Sequence, residues 1–197
     1  VVSAFDGNGE PRWEWSDPAP ESRGVVDAMA GLPNGGVIWG GDKGQDDTQR
    51  LVFARIDADG TELWRIEEEH ISDSSGVVEL AVTEDRLAAL RWYSIDWPED
   101  QGQTYYEVGQ APLNAPEELS DFILDLESEK YITSVSANEV GVQIGSNDIN
   151  EQRAHTTALS WNGGVMWSTS IDAALGWYLT LDSLPDGRTA VGYRVQE

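Results

Sequence analysis

Short apolar runs separated by glycine-rich or Asn/Asp-rich turns recur along this chain, and their spacing predicts β-strands throughout. Strand-like runs cover 25–30, 77–82, 132–136 and 178–181, each followed by a turn: Leu32-Pro33-Asn34-Gly35, Thr83-Glu84-Asp85-Arg86, Ala137-Asn138-Glu139-Val140 and Leu184-Pro185-Asp186-Gly187. A second run follows each turn, at 37–39, 87–92, 140–144 and 189–193. Asn-Gly and Asp-Gly steps supply the positive φ that tight hairpins need, so each column of turns marks a hairpin.

A second hairpin signal runs in the same phase. A Gly-x-x-x-Trp element occurs at Gly9 to Trp13, Gly60 to Trp64 and Gly163 to Trp167, with gaps of 51 and 103 residues. The longer gap is two periods, and Gly109 to Leu113 is the expected degenerate copy. Two hairpins per period make four strands per repeat of about 50 residues, the signature of propeller blades. The predicted fold is all-β and β-propeller-like, a single domain over 1–197 with four blades. The chain opens on an outer hairpin and finishes on an inner one, so the fourth blade is expected to be shared between the N- and C-termini, leaving no free edge. Membership in a larger propeller is the competing expectation. Pro112 and Pro116 break the third outer hairpin and predict an irregular loop or edge between Gly109 and Asp121.

A hydrophobic-Asp-x-x-Gly-x-x-x-Trp hairpin followed by a Pro-Asn-Gly or Pro-Asp-Gly hairpin resembles the tandem propeller repeats of secreted bacterial proteins, among them the PQQ-like repeats. The resemblance implies a propeller fold and a secreted, periplasmic or cell-surface setting. It implies no reaction, because no position matches a motif for the PQQ cofactor.

Composition narrows the function classes. Thirty-six acidic residues against twelve basic ones give a formal charge of -24, which repels nucleic acid and anionic membrane surfaces. The excess of acid over lysine predicts solubility in salty surroundings. Nine Trp and six Tyr provide enough apolar surface to order the chain despite that charge. Cysteine is absent, which removes disulfides and thiolate metal sites. No run reaches the roughly 20 apolar residues of a membrane-spanning helix.

No catalytic constellation stands out. His70 and His155 are isolated, and the many carboxylates make chance pairs inevitable. Asp57, Asp59 and Glu62, like Asp6, Asn8 and Glu10, place oxygens on glycine turns as calcium loops do. Turn chemistry explains the same residues without a metal, so no cofactor is expected and calcium is the alternative. The acidic groups Asp46-Asp47, Glu67-Glu68-Glu69, Asp96 with Glu99-Asp100 and Glu117-Glu118 are expected in solvated connections. Trp13, Trp64 and Trp167 share one repeat position and are expected to pack between blades. Trp97 differs: with Tyr93 and Asp96 it lies in a segment without counterpart in the other repeats, which makes these three the expected ligand-binding residues. The function expected is a non-enzymatic binding or scaffold domain for a protein or glycan, against a polysaccharide hydrolase or lyase and against a structural subunit of a surface assembly.

Overall fold

The computed structural model describes residues 1–17, 24–44, 50–69, 74–95, 103–114, 116, 119–121, 130–148, 153–172, 179–184 and 188–193. Among these the regular structure is all strand. Three four-stranded antiparallel sheets follow one another along the chain. The first is β3 (Gly24–Gly31), β4 (Val37–Lys43), β5 (Arg50–Ile56) and β6 (Glu62–Glu69). The second is β7 (Ser74–Val82), β8 (Arg86–Ile95), β9 (Gln103–Pro112) and the short β10 (Ser120–Asp121). The third is β11 (Lys130–Ala137), β12 (Gly141–Asp148), β13 (Arg153–Ser160) and β14 (Val165–Asp172). Two hairpins flank them: β1 (Val2–Phe5) with β2 (Pro11–Trp15), and β15 (Leu179–Ser183) with β16 (Thr189–Tyr193).

The outer turns are built by their acidic residues. Asp6 Oδ1 accepts from the amides of Asn8 at 2.8 Å and Glu10 at 3.0 Å. Asp59 Oδ1 accepts from the Thr61 amide at 3.0 Å. Backbone donors from Glu10 and Asn8 hold the Asp6 carboxyl below its ordinary range, and the Thr61 hydroxyl and amide do the same for Asp59. Gly9 and Gly60 close these turns at φ of 84° and 88°, a conformation that disfavours side chains.

Strand periodicity then decides the packing. Ile38, Leu51 and Phe53 face the second sheet, where Val77, Leu87 and Ala89 complete one core. Their strand neighbours Trp39, Val52, Ala54 and Ile56 face the other way and bury Val2 and Trp15 of the β1–β2 hairpin. In the second sheet Ala88 and Leu90 turn from Leu87 and Ala89 to meet Ile132, Val142 and Ile144 of the third. Each central strand is buried on both faces, which is why Leu51-Val52-Phe53-Ala54 reads as a continuous apolar run. The stack ends where Leu181 and Val191 of β15–β16 pack on Ala154.

Polar side chains on the first strand of each sheet tie it to the next. Asp27 Oδ2 accepts from the Val77 amide at 3.0 Å. Glu79 Oε2 accepts from the Ser134 hydroxyl and the Val135 amide, both at 2.7 Å. Ser134 Oγ in turn accepts from the Leu181 amide at 3.1 Å, and Ser136 and Ser183 share a 2.9 Å hydroxyl contact. The β3, β7, β11 and β15 strands therefore line up side by side along the stack.

The architecture departs from expectation in three places. Among the described residues no four-stranded fourth sheet is formed: β1 pairs with β2 and β16 with β15 in separate two-stranded sheets. Gly109 lies inside β9, opposite Ala89 and Asp121, and not on a turn; the second sheet makes its outer turn from Leu113 onward, where Leu113 N donates to Asp85 O. Glu67, Glu68 and Glu69 belong to β6 and not to a connection, because Glu67 and Glu68 find basic partners on neighbouring strands. The break at Pro112 is as expected: β9 ends there, and its outer partner is the two-residue β10.

Candidate functional site

The links between hairpins leave the sheets at one end, defined by Lys43, Arg50, Ile95, Gln103, Asp148 and Arg153 at the strand termini. Tyr93 lies at this end of β8. Asp96 and Trp97, the other two expected ligand-binding residues, fall outside the described residues.

Tyr93 sits opposite Tyr105 in the β8–β9 register, and their half-buried rings stack with centroids 5.1 Å apart and an interplanar angle of 15°. Two residues along each strand, on the same face by strand periodicity, Arg91 sits opposite Glu107. Glu107 joins the two pairs: Oε1 accepts from the Tyr93 hydroxyl at 3.0 Å and Oε2 from Arg91 Nη2 at 3.1 Å. Arg91 is only 3% exposed. Its Nη1 also binds Glu68 of the preceding sheet, whose other oxygen accepts the Leu119 amide at 3.2 Å. A buried guanidinium with two carboxylates is a rigid anchor, since removing either partner leaves charge in a poorly solvated place.

This electrostatic setting determines what the tyrosines can do. Desolvation, then the Glu107 charge and its hydrogen bond, push the Tyr93 phenol up to about 12. Tyr93 stays neutral and donates; it is a poor base at ordinary pH. Glu68 and Glu107 are both committed to Arg91. The cluster thus offers flat aromatic surface and fixed hydrogen-bond geometry, the equipment of recognition.

A second acidic feature lies at the same end, on the first strand. Asp27 is pushed up by desolvation first and by the Asp42 charge, against the lowering effect of the Val77 amide. Though much of the residue is exposed, its carboxylate lies close to Gly76, where an added Cβ would stand 3.1 Å from Oδ2 and 2.6 Å from Trp92 Nε1. The parallel between Gly24-Val25-Val26-Asp27 and Gly76-Val77-Val78-Glu79 marks Asp27 and Glu79 in the sequence. Arg91, Glu68 and Glu107 carry no such mark, because their partners are 16 and 23 residues away.

Asp57 and Asp59 occupy the β5–β6 turn, each binding a nearby amide, and Glu62 holds Arg65 through both oxygens at 3.1 and 2.9 Å. Among the described residues no group of three or more His, Asp or Glu is placed to hold a metal ion.

No family model matches the chain, and no curated protein matches it. Among solved structures it is similar to an ACO/RPE65 chimera, with a TM-score of 0.49 and 9% identity over 81% of this chain and 40% of that one. It is also similar to the Nup133 β-propeller domain of Vanderwaltozyma polyspora, with a TM-score of 0.36 and 10% identity over 86% of this chain and 56% of that domain. The chain thus spans less than half of the first structure and little more than half of the second. Its class follows from its own strand pairing: an all-β protein of stacked, blade-like four-stranded sheets.

Proposed function

We propose that the chain is a non-enzymatic binding or scaffold domain of propeller type, engaging a protein or glycan at the end where the hairpin links emerge. The observation that carries this reading is the Tyr93–Tyr105 stack, held over a buried Arg91 by Glu107. Flat aromatic surface rimmed by carboxylates suits stacking on a sugar ring or anchoring in a partner's pocket. Trp97 and Asp96, next along the same link, belong to the proposed site. The terminal hairpins, one outer and one inner, are the two halves of a composite fourth blade. A secreted, periplasmic or cell-surface setting, with salt screening the charge of -24, completes the proposal.

A glycan array and a display library of exposed peptides, probed with the 197-residue chain, supply the ligand. Tyr105→Ala is then expected to weaken binding about tenfold, or about 1.4 kcal/mol, while circular dichroism stays unchanged. Unchanged affinity in a folded Tyr105→Ala protein would move the site off this end.

A further inference from the structure

We infer that the cleft between the first two sheets, at the link end, receives an arginine side chain of a protein partner, its guanidinium seated between Asp42 and Ser75 beside the Tyr93–Tyr105 stack. The inference rests on the reading above that this end binds, and it chooses the protein over the glycan.

Strand register defines the seat. A Cβ added at Gly40 would stand 3.2 Å from Val77 Cγ1, so β4 and β7 face each other at that level. Two residues toward the link end on each strand, and therefore on the same faces, are Asp42 and Ser75. Ser75 lies opposite Tyr93 in the β7–β8 register, which puts its side chain next to the stacked rings. Asp27 closes the inner side: its Oδ2 accepts from the Val77 amide at 3.0 Å, and its carboxyl feels the Asp42 charge.

Ser75 is the observation that asks for a ligand. The residue is 4% exposed, and among the described residues its buried Oγ meets no hydrogen-bond partner. A buried hydroxyl without a partner is destabilising, and a donor arriving from outside removes that cost. The surrounding charge selects the donor. Arg91 takes up Glu68 and Glu107, and the excess of negative charge lies on the Asp27–Asp42 side of the cleft. A neutral sugar gains nothing from that excess, whereas a cation does.

The chain itself shows which cation its clefts hold. Arg65 lies 5.6 Å from the Trp15 ring centroid and 5.8 Å from that of Trp39, with Asp17 and Glu62 on its nitrogens. Arg91 bridges the first two sheets in the same cleft as Ser75. A planar fork of donors can lie along an aromatic ring and still meet a carboxylate and a hydroxyl, which a compact ammonium cannot do at once. The Ser75 hydroxyl is covered, so the guanidinium reaches it as the half-buried Asp42 or Tyr93 side chain turns, a rotamer change of the kind common at interfaces.

The test titrates the isotope-labelled 197-residue chain with acetyl-Gly-Arg-Gly-amide, with the same peptide carrying lysine or the neutral citrulline in place of arginine, and with an N-acetylglucosamine hexamer, following the backbone amides by NMR. The arginine peptide is expected to shift Asp42, Ser75 and Tyr93 to saturation, and the lysine and citrulline peptides to bind about tenfold more weakly. Asp42→Asn and Ser75→Ala, each with amide dispersion intact, are expected to weaken the arginine peptide about threefold or more. Equal binding of the lysine peptide would reduce the effect to net charge and overturn the seat, as would unchanged affinity in folded Ser75→Ala. If the sugar hexamer shifts Tyr93 and Tyr105 while the arginine peptide does not, the arginine seat fails and the binding end stands. If no probe shifts them, both fail.

Discussion

Replacing Glu79 by alanine tests how the blades are held together. Its Oε2 accepts two hydrogen bonds at 2.7 Å from the next sheet, one from the Val135 amide and one from the Ser134 hydroxyl. Both donors belong to residues that are 2% exposed, so without the carboxylate they lose a partner in a place that water reaches poorly. A hydrogen bond to a charged group contributes about 1.5–3 kcal/mol, so two give an upper bound of about 6 kcal/mol. Glu79 is itself half-exposed, and water entering the vacated space recovers part of this. The expected loss is about 2–3 kcal/mol for Glu79→Ala and about 1 kcal/mol for Glu79→Gln, whose carbonyl keeps one acceptor. Urea unfolding followed by tryptophan fluorescence measures both, with the m-value showing whether the cooperative unit is preserved. Hydrogen exchange at Val135 gives the local view, and its amide should lose protection in the alanine variant. A Glu79→Ala chain within about 0.5 kcal/mol of the parent would refute the clamp and leave apolar packing alone to join the blades.

Trp64 and Trp167 hold one repeat position in opposite surroundings, so Trp64→Ala should destabilise the dilute chain by about 3 kcal/mol and Trp167→Ala by less than about 1 kcal/mol; equal effects in thermal denaturation would contradict the uncovered β14 face. Tyr93 is raised in the folded protein from 10.0 to about 12, so its contribution to stability is complete below the unfolded value and disappears as pH rises through the folded one. Ultraviolet titration against Tyr93→Phe should reveal one late phenol, and Glu107→Gln should bring it down only part of the way, because desolvation is the larger cause; an ordinary Tyr93 titration would dissolve the proposed network.

Turn chemistry was legible in the sequence because it is local. Asp57-Ala58-Asp59-Gly60 and Leu32-Pro33-Asn34-Gly35 contain the acceptor and the positive-φ glycine within four residues, and both turns lie where the motifs place them. The second sheet departs from the motif for the same reason: Leu113 and Asn114 follow β9 where the other outer turns have a glycine step, and Gly109 lies mid-strand. Strand ends are not legible where polar residues extend the pairing, as at Glu67 and Glu68, which meet Arg50 and Arg91 from other strands. Tyr93 was visible as part of an unusual segment, but its stacking on Tyr105 and its bond to Glu107 are products of strand register. Closure between the termini depends on the accumulated angle between successive sheets, and no local motif encodes that sum.

Hydrogen exchange read strand by strand tests the account of three complete sheets with separate terminal hairpins most directly. In dilute solution the central β5, β8 and β12 amides should be protected while those of β1, β14 and β16 exchange quickly. Protection of β1 and β16 equal to that of β5 would mean that the terminal hairpins join one sheet within the chain, and it would contradict the account.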